Sequence, residues 1–199
     1  MPTQHNTCGP PMRLKSEVLK ERMPEILRLL TDQFETPIGE MMIAADHDGN
    51  LRAAEWTDHT ERIRNLLQRQ YGKNSFVLEP VHNPGGLTDA MKSYFAGELA
   101  SIDALPTKTA GTSFQREVWR ALREIPCGTT VSYGELAKRI GRPSAVRAVG
   151  LANGGNPIGV VVPCHRVIGS GGSLTGYGGG IERKRWLLNH ECKNRQWSL

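Results

Sequence analysis

The chain has 199 residues, of which 38% are hydrophobic and 23% charged, with a formal net charge of +5. That suffices for one large domain or two small ones sharing a core, and it excludes wholesale disorder. The polar start MPTQHNTCGPPMRLKSEV contains no signal-peptide core, and no run approaches the ~20 apolar residues of a membrane span, so a cytoplasmic protein without a membrane partner is expected.

In that setting Cys8, Cys127, Cys164 and Cys192 should stay reduced, and they lack the paired C-x-x-C spacing of a zinc site, so no metal is expected. The charge is uneven. Residues 1–110 carry 12 Lys/Arg against 15 Asp/Glu, whereas residues 111–199 carry 13 against 5. A basic second half fits either contact with a polyanion or a surface that only aids solubility.

In chain order, residues 1–15 read as loose, and SEVLKERMPEILRLL (16–30) has the pattern of an amphipathic helix interrupted at Pro24. GEMMIAADHDGNLRAAEW (39–56) predicts two strands joined across an Asp48-Gly49 turn. Ile63, Leu66, Leu67 and Tyr71 predict a helix over 59–71, and Leu87, Met91 and Phe95 another over 87–97. SIDALPTKTAG (101–111) has no period and reads as a linker.

Beyond it, Thr112 and Gln115 have capping-box spacing, followed by Phe114, Val118, Leu122 and Ile125 at helical intervals up to Pro126. Ser132 and Glu135 form a second such box ahead of Leu136, Ala137 and Ile140. The Gly-Arg-Pro at 141–143 ends that helix, and Ser144 is placed to cap the next, AVRAVGLANG. Two short helices about a glycine-containing turn have the shape of a helix-turn-helix. The second is built of small residues (Ala145, Ala148, Gly150, Ala152) around one long cation, Arg147. Either that helix approaches a surface closely and Arg147 enters a groove, or its alanines pack inward and Arg147 is merely solvated.

IGVVV, ended by Pro163, predicts a strand with Cys164 at its end, beside His165 and ahead of a glycine-rich loop. Cys164 is either a nucleophile or a small core residue. As a nucleophile it would need its thiol pKa brought below about 8.5, with His165 as base and a third group to fix the imidazole. Adjacent residues on a regular strand face opposite ways, so that contact would require a bend or a water. IERKRWLLNHE (181–191) predicts a helix anchored by Ile181, Trp186 and Leu187. It ends in His190 and Glu191, either of which could orient His165, a carboxylate being better suited.

GNPIGVVVPCHRVIGSGG, the upstream TSFQREVWRALREIPCGTTVSYGELAKRIGRPSAVRAVG and the closing GYGGGIERKRWLLNHE resemble the O6-alkylguanine-DNA alkyltransferases, also called methylated-DNA–protein-cysteine methyltransferases. The strong match spans 111–191; TPIGEMMIAA and NPGGLTDAMKSYFAGEL are similar to the family's N-terminal domain. The resemblance implies an α/β (α+β) fold. A ribonuclease-H-like domain with its linker would occupy 31–110, and a mostly helical DNA-binding and alkyl-acceptor domain 111–199. Residues 1–30 would be an extension with no assigned role.

It also implies single-turnover repair of duplex DNA carrying O6-alkylguanine, and O4-alkylthymine, without a cofactor, by a monomer; clustering along DNA is left open. Cys164 would accept the alkyl group, His165 would act through a bound water, and Glu191 would orient the imidazole. Asn156 would hydrogen-bond within the site, and Tyr133 would help turn out the nucleotide and protonate the leaving guanine. Arg147 would fill the gap left by the flipped base, with Gln115, Gly134, Arg142 and Ser170 on the DNA backbone. Tyr177 and Gly178 would line the base pocket. Gly159 stands where members often have a second proline, which alters the pocket wall.

Two rival readings remain. A cysteine hydrolase would turn over repeatedly and leaves the helix-turn-helix without a purpose. A sequence-reading regulator would carry polar side chains where Ala145, Ala148 and Ala152 stand.

Overall fold

The computed structural model describes residues 26–192. The N-terminal region is a four-stranded sheet of β1 (Leu27–Thr36), β2 (Gly39–Ala45), β3 (Leu51–Trp56) and β4 (Phe76–Pro80), in the order β3-β2-β1-β4. The first three strands are antiparallel, and β4 returns parallel to β1 after the helix α1 (Thr60–Tyr71). The Asp48-Gly49 turn forms as expected. Gly49 takes φ +80°, and Asp46 locks the turn by accepting from the Asn50 amide (2.8 Å) and Arg52 Nε (2.7 Å). α2 (Leu87–Phe95) also forms.

The helix expected over 16–30 is corrected where it can be seen. Residues 27–30 begin β1, and residues 16–25 lie outside the described part. β1 pairs on both sides, with β2 and β4, and this ladder outweighs the local helical pattern.

The segment expected as a linker is tied down instead. Leu51 and Lys108 hydrogen-bond across the edge of β3, and Arg123 holds the carbonyls of Asp103 (2.6 Å) and Leu105 (2.9 Å). Further along β3, the Ala54 amide donates to Pro157 O, and the Gly159 amide donates to Ala54 O. An otherwise open sheet edge is thereby covered, which is why every residue of β3 is buried.

The helical region comprises α3 (Ser113–Arg123), α4 (Tyr133–Arg139), α5 (Val146–Gly154) and α6 (Ile181–Glu191), with short parallel strands β5 (Val131–Ser132) and β6 (Val167–Ile168). Both expected capping boxes are present, at Thr112/Gln115 and Ser132/Glu135. α4 ends in a Schellman turn: Gly141 takes φ +70°, its amide reaches Lys138 O, and the Arg142 amide reaches Ala137 O. Ser144 does not cap α5; Ala145 holds that position with no side-chain bond. One core runs through both regions, from Met41, Trp56 and Met91 to Val118, Leu122, Val160 and Leu187. A smaller cluster seals α1 against the other sheet face.

Candidate active site

Cys164 is not at a strand end. Residues 158–162 form successive tight turns, with Val160 at φ +68°, and Cys164 opens a one-turn 3-10 helix, Cys164–Arg166, after Pro163. The run touches the sheet at a single bridge, Ile158 to Ala54, and the side chain of Asn156 supplies bonds that a ladder would otherwise make. The Asn156 amide donates to Val162 O (2.8 Å), and its carbonyl accepts from the Ile158 amide (3.0 Å). A β-branched residue at positive φ is strained by about 1–3 kcal/mol, which this network and full burial offset.

Asn156 Nδ2 also lies 3.2 Å from Cys164 Sγ. The thiol is only 7% exposed. Burial pushes its pKa up, and the Asn156 hydrogen bond opposes that only in part. The resting sulfur is therefore a thiol, contrary to the expected lowering, because the low-dielectric site penalises the thiolate more than nearby donors favour it.

His165 is fully buried, and its Nε2 lies 2.9 Å from Glu191 Oε1. Burial lowers the imidazole pKa and Glu191 only partly restores it, so the ring is neutral and donates its Nε2 hydrogen to the carboxylate. Nδ1 is then the basic nitrogen, and it is buried without a protein partner. Glu191 is the hub of the network. It also accepts from Tyr94 Oη (2.8 Å) and from Arg166 Nε and Nη2 (both 2.8 Å). Burial works against its charge, but His165 and Arg166 outweigh that and hold the carboxyl well below the ordinary carboxylate range. His190, the other candidate orienter, instead stacks on Trp186 (ring centroids 4.6 Å apart) and donates to Tyr94 O.

Tyr133 and Tyr177 flank this array. Tyr133 opens α4, and its hydroxyl lies 3.4 Å from Thr175 O and 3.5 Å from Gly176 O. The Tyr177 ring meets the edge of His165, with centroids 6.5 Å apart. Burial raises the hydroxyl pKa of both tyrosines, and the neighbouring Cys164 adds to it, so both are protonated donors. Gly159 is buried against β3 with its amide on Ala54 O, and a Cβ there would press on Ala54 O at 3.1 Å and lie 3.9 Å from the Tyr177 hydroxyl. Gly178 is packed against the Arg62 guanidinium.

The other predicted residues lie on the helix-turn-helix and its surroundings. Arg147 is exposed on α5, whose Ala152 packs inward, with the Trp119 indole donating to its carbonyl (2.9 Å). Arg142 is exposed but paired with Glu117 (3.1 Å). The Gln115 side-chain carbonyl is committed to the Thr112 amide (2.8 Å). Gly134 sits in the first turn of α4, and Ser170 is exposed on the glycine loop.

Three participants were not anticipated: Arg166, Tyr94 and Lys184. Lys184 is fully buried, donates to Val167 O (2.6 Å) and Thr175 O (2.7 Å), and is lowered to about 8 by burial. Its sequence signal was a lysine within the apolar stripe Leu187–Leu188 of α6, on the face that carries Glu191. Among the described residues no group of three or more His, Cys, Asp or Glu side chains gathers for a metal, and no helix is long and apolar enough to cross a membrane.

A buried thiol followed in the chain by a carboxylate-oriented imidazole, set behind a helix-turn-helix, defines a cysteine-dependent group-transfer protein. The family model described as "6-O-methylguanine DNA methyltransferase, DNA binding domain" matches residues 113–193. The methylated-DNA–protein-cysteine methyltransferase of Shigella flexneri is 54% identical over 166 residues, covering 83% of this chain and 97% of that protein. The protein of the same name from Mycobacterium bovis is 60% identical over 162 residues, covering 79% and 88%. The crystal structure of Mycobacterium tuberculosis OGT in complex with DNA superposes with a TM-score of 0.67 at 43% identity, covering 81% of this chain and 92% of that one. The chain belongs to the methylated-DNA–protein-cysteine methyltransferase family. Its activity is DNA repair by alkyl transfer to a cysteine.

Proposed function

We propose that Cys164 is the acceptor and that the substrate is O6-alkylguanine, with O4-alkylthymine, in double-stranded DNA. The observations that carry this reading are Cys164 Sγ held 3.2 Å from the Asn156 amide and, at the next residue in the chain, the buried His165–Glu191 pair. Because the resting sulfur is protonated, His165 Nδ1, which has no hydrogen-bond partner in the protein, takes its proton through a bound water as the base lodges. The thiolate then attacks the alkyl carbon, the carbon–oxygen bond breaks, and its electrons pass to the guanine. Tyr133, a protonated phenol at the loop, supplies the hydrogen bond or proton that the leaving guanine needs. His165 gives up the acquired proton through solvent and Tyr133 regains one, so overall one proton passes from sulfur to guanine and the alkyl group to sulfur. A thioether has no easy hydrolytic exit, so each molecule reacts once; a cysteine hydrolase would pass through a hydrolysable thioester.

A base inside a duplex is out of reach of a buried thiol, so the nucleotide must be flipped at a few kcal/mol, with Arg147 filling the gap from the minor groove. Gln115, Gly134, Arg142 and Ser170 meet phosphates of the DNA backbone, which supply affinity without sequence preference. Residues 111–199 are the DNA-binding and acceptor part, backed by 31–110, in a cytoplasmic monomer that needs no cofactor. The test is removal of O6-methylguanine from a duplex, followed in the DNA after hydrolysis. Cys164→Ala should abolish removal, whereas Cys127→Ala and Cys192→Ala should retain it; the reverse pattern refutes the assignment.

A further inference from the structure

The glycine loop between β6 and α6 carries Tyr177 and is pinned on either side of it. One pin is internal to the helical region: Thr175 O accepts from Lys184 Nζ (2.7 Å) and Tyr133 Oη (3.4 Å). The other pin, at Gly178–Gly179, is built with the sheet region. Arg183, in the first turn of α6, donates from Nη1 to Gly179 O (3.2 Å) and from Nε to Ile38 O (2.9 Å). The same guanidinium forms a two-pronged ion pair with Asp58 (3.1 and 2.7 Å) and lies over the Trp56 ring at 4.6 Å.

Arg62, on α1, arrives from the other direction. Its Nε donates to the buried Glu55 (2.6 Å) and its Nη2 to Gly154 O (2.9 Å), the last residue of α5. The fit is tight. A Cβ on Gly178 would collide with the Arg62 guanidinium, and one on Gly179 with the Trp56 indole. Two bidentate, planar arginine forks are better suited than lysines to hold two partners at once.

We propose that Arg62 and Arg183 are positioning residues through which the sheet region fixes Tyr177, and the end of α5, in the geometry that receives the alkylated base. The sheet region is then a clamp on the acceptor loop and not only a scaffold behind it. This rests on the reading of Cys164 as alkyl acceptor.

The test uses the full chain and two reactions. Transfer from free O6-benzylguanine needs a formed base pocket; carbamidomethylation of Cys164 by iodoacetamide needs only the thiol. Asp58→Ala removes the anchor of Arg183 at an exposed site, which avoids the buried Glu55 that Arg62→Met would leave without its partner. In both variants benzyl transfer should fall by roughly tenfold to a hundredfold, the scale expected for a misplaced positioning group. The iodoacetamide rate should hold or rise, and Arg62→Lys, which keeps the charge beside Glu55 but not the second prong to Gly154 O, should recover only part of the benzyl rate. An unchanged benzyl rate in folded variants overturns the clamp. So does a parallel fall of both reactions with melting temperature, which would show support of the fold alone. Wild-type protein that accepts nothing from O6-benzylguanine or from methylated duplex would overturn the acceptor reading itself, before any variant is made.

Discussion

Replacing Glu191 by Gln keeps the side chain's shape and removes its charge, and the structure gives that change a large effect. The carboxylate accepts from His165, Tyr94, both prongs of Arg166 and, at 3.4 Å, the Gly128 amide. Arg166 is only 4% exposed and would be left charged without its counter-ion. Breaking one side of a buried ion pair costs about 3–5 kcal/mol, a large share of the ~5–15 kcal/mol that holds a domain folded. With a urea slope of about 2 kcal/mol/M, the midpoint should move down by roughly 2 M. The effect has a pH signature. The carboxyl is held well below its ordinary 4.5, so its stabilisation is present above that pH and is lost as pH falls through it toward the folded value. Wild type and Glu191→Gln should therefore differ most at pH 7 and converge toward pH 3. Adding Arg166→Met should recover part of the loss, because no unpaired charge then remains. The assay is urea denaturation of the three proteins across that range. A loss below about 1 kcal/mol at pH 7, or a gap that does not narrow in acid, would refute the ion-pair account.

Asn156→Ala removes the donor to Cys164 Sγ, so the pH profile of Cys164 alkylation should move upward and the thiolate at neutral pH should become scarcer. An unmoved profile in the folded variant would show that Asn156 does not favour the thiolate. Arg147→Ala should slow repair of duplex far more than reaction with free alkylated base, with an unchanged melting temperature, and equal losses would place Arg147 outside base flipping. The Lys184 ammonium loses its proton near pH 8 in the fold but near 10.5 when unfolded, so the unfolded state binds more protons between them and this group makes stability rise with pH there. Lys184→Met should abolish that rise when denaturation is compared at both ends of the window.

Local chemistry was legible and long-range pairing was not. The two capping boxes, the Asp48-Gly49 hairpin and the Gly141 stop are each completed within a few residues, so their residue types announce them. Leu27–Leu30 became strand because β4 pairs with it throughout and β2 joins at Leu30, and those partners arrive from elsewhere in the chain. IGVVV failed as a strand for the opposite reason: its pairing with the sheet stops at Ile158, and Asn156 satisfies its backbone beyond that point. In the site, Asn156 meets Cys164 and Glu191 meets His165, the two pairs being joined through the adjacent residues Cys164 and His165. Arg166 was overlooked although it stands inside the Pro-Cys-His-Arg run, because a cation next to a histidine reads as solvated until the carboxylate 25 residues away is seen to meet it. Tyr94 was hidden for a stronger reason, since it reaches Glu191 from 97 residues upstream.

The central claim is that one alkyl group passes irreversibly to Cys164. Intact-protein mass spectrometry after incubation with excess O6-methylguanine duplex, followed by peptide mapping, tests it most directly. A single added methyl group per molecule is expected, located on the peptide containing Cys164, with no further repair once it is filled. Repeated turnover, or a methyl group on Cys127 or Cys192, would contradict it.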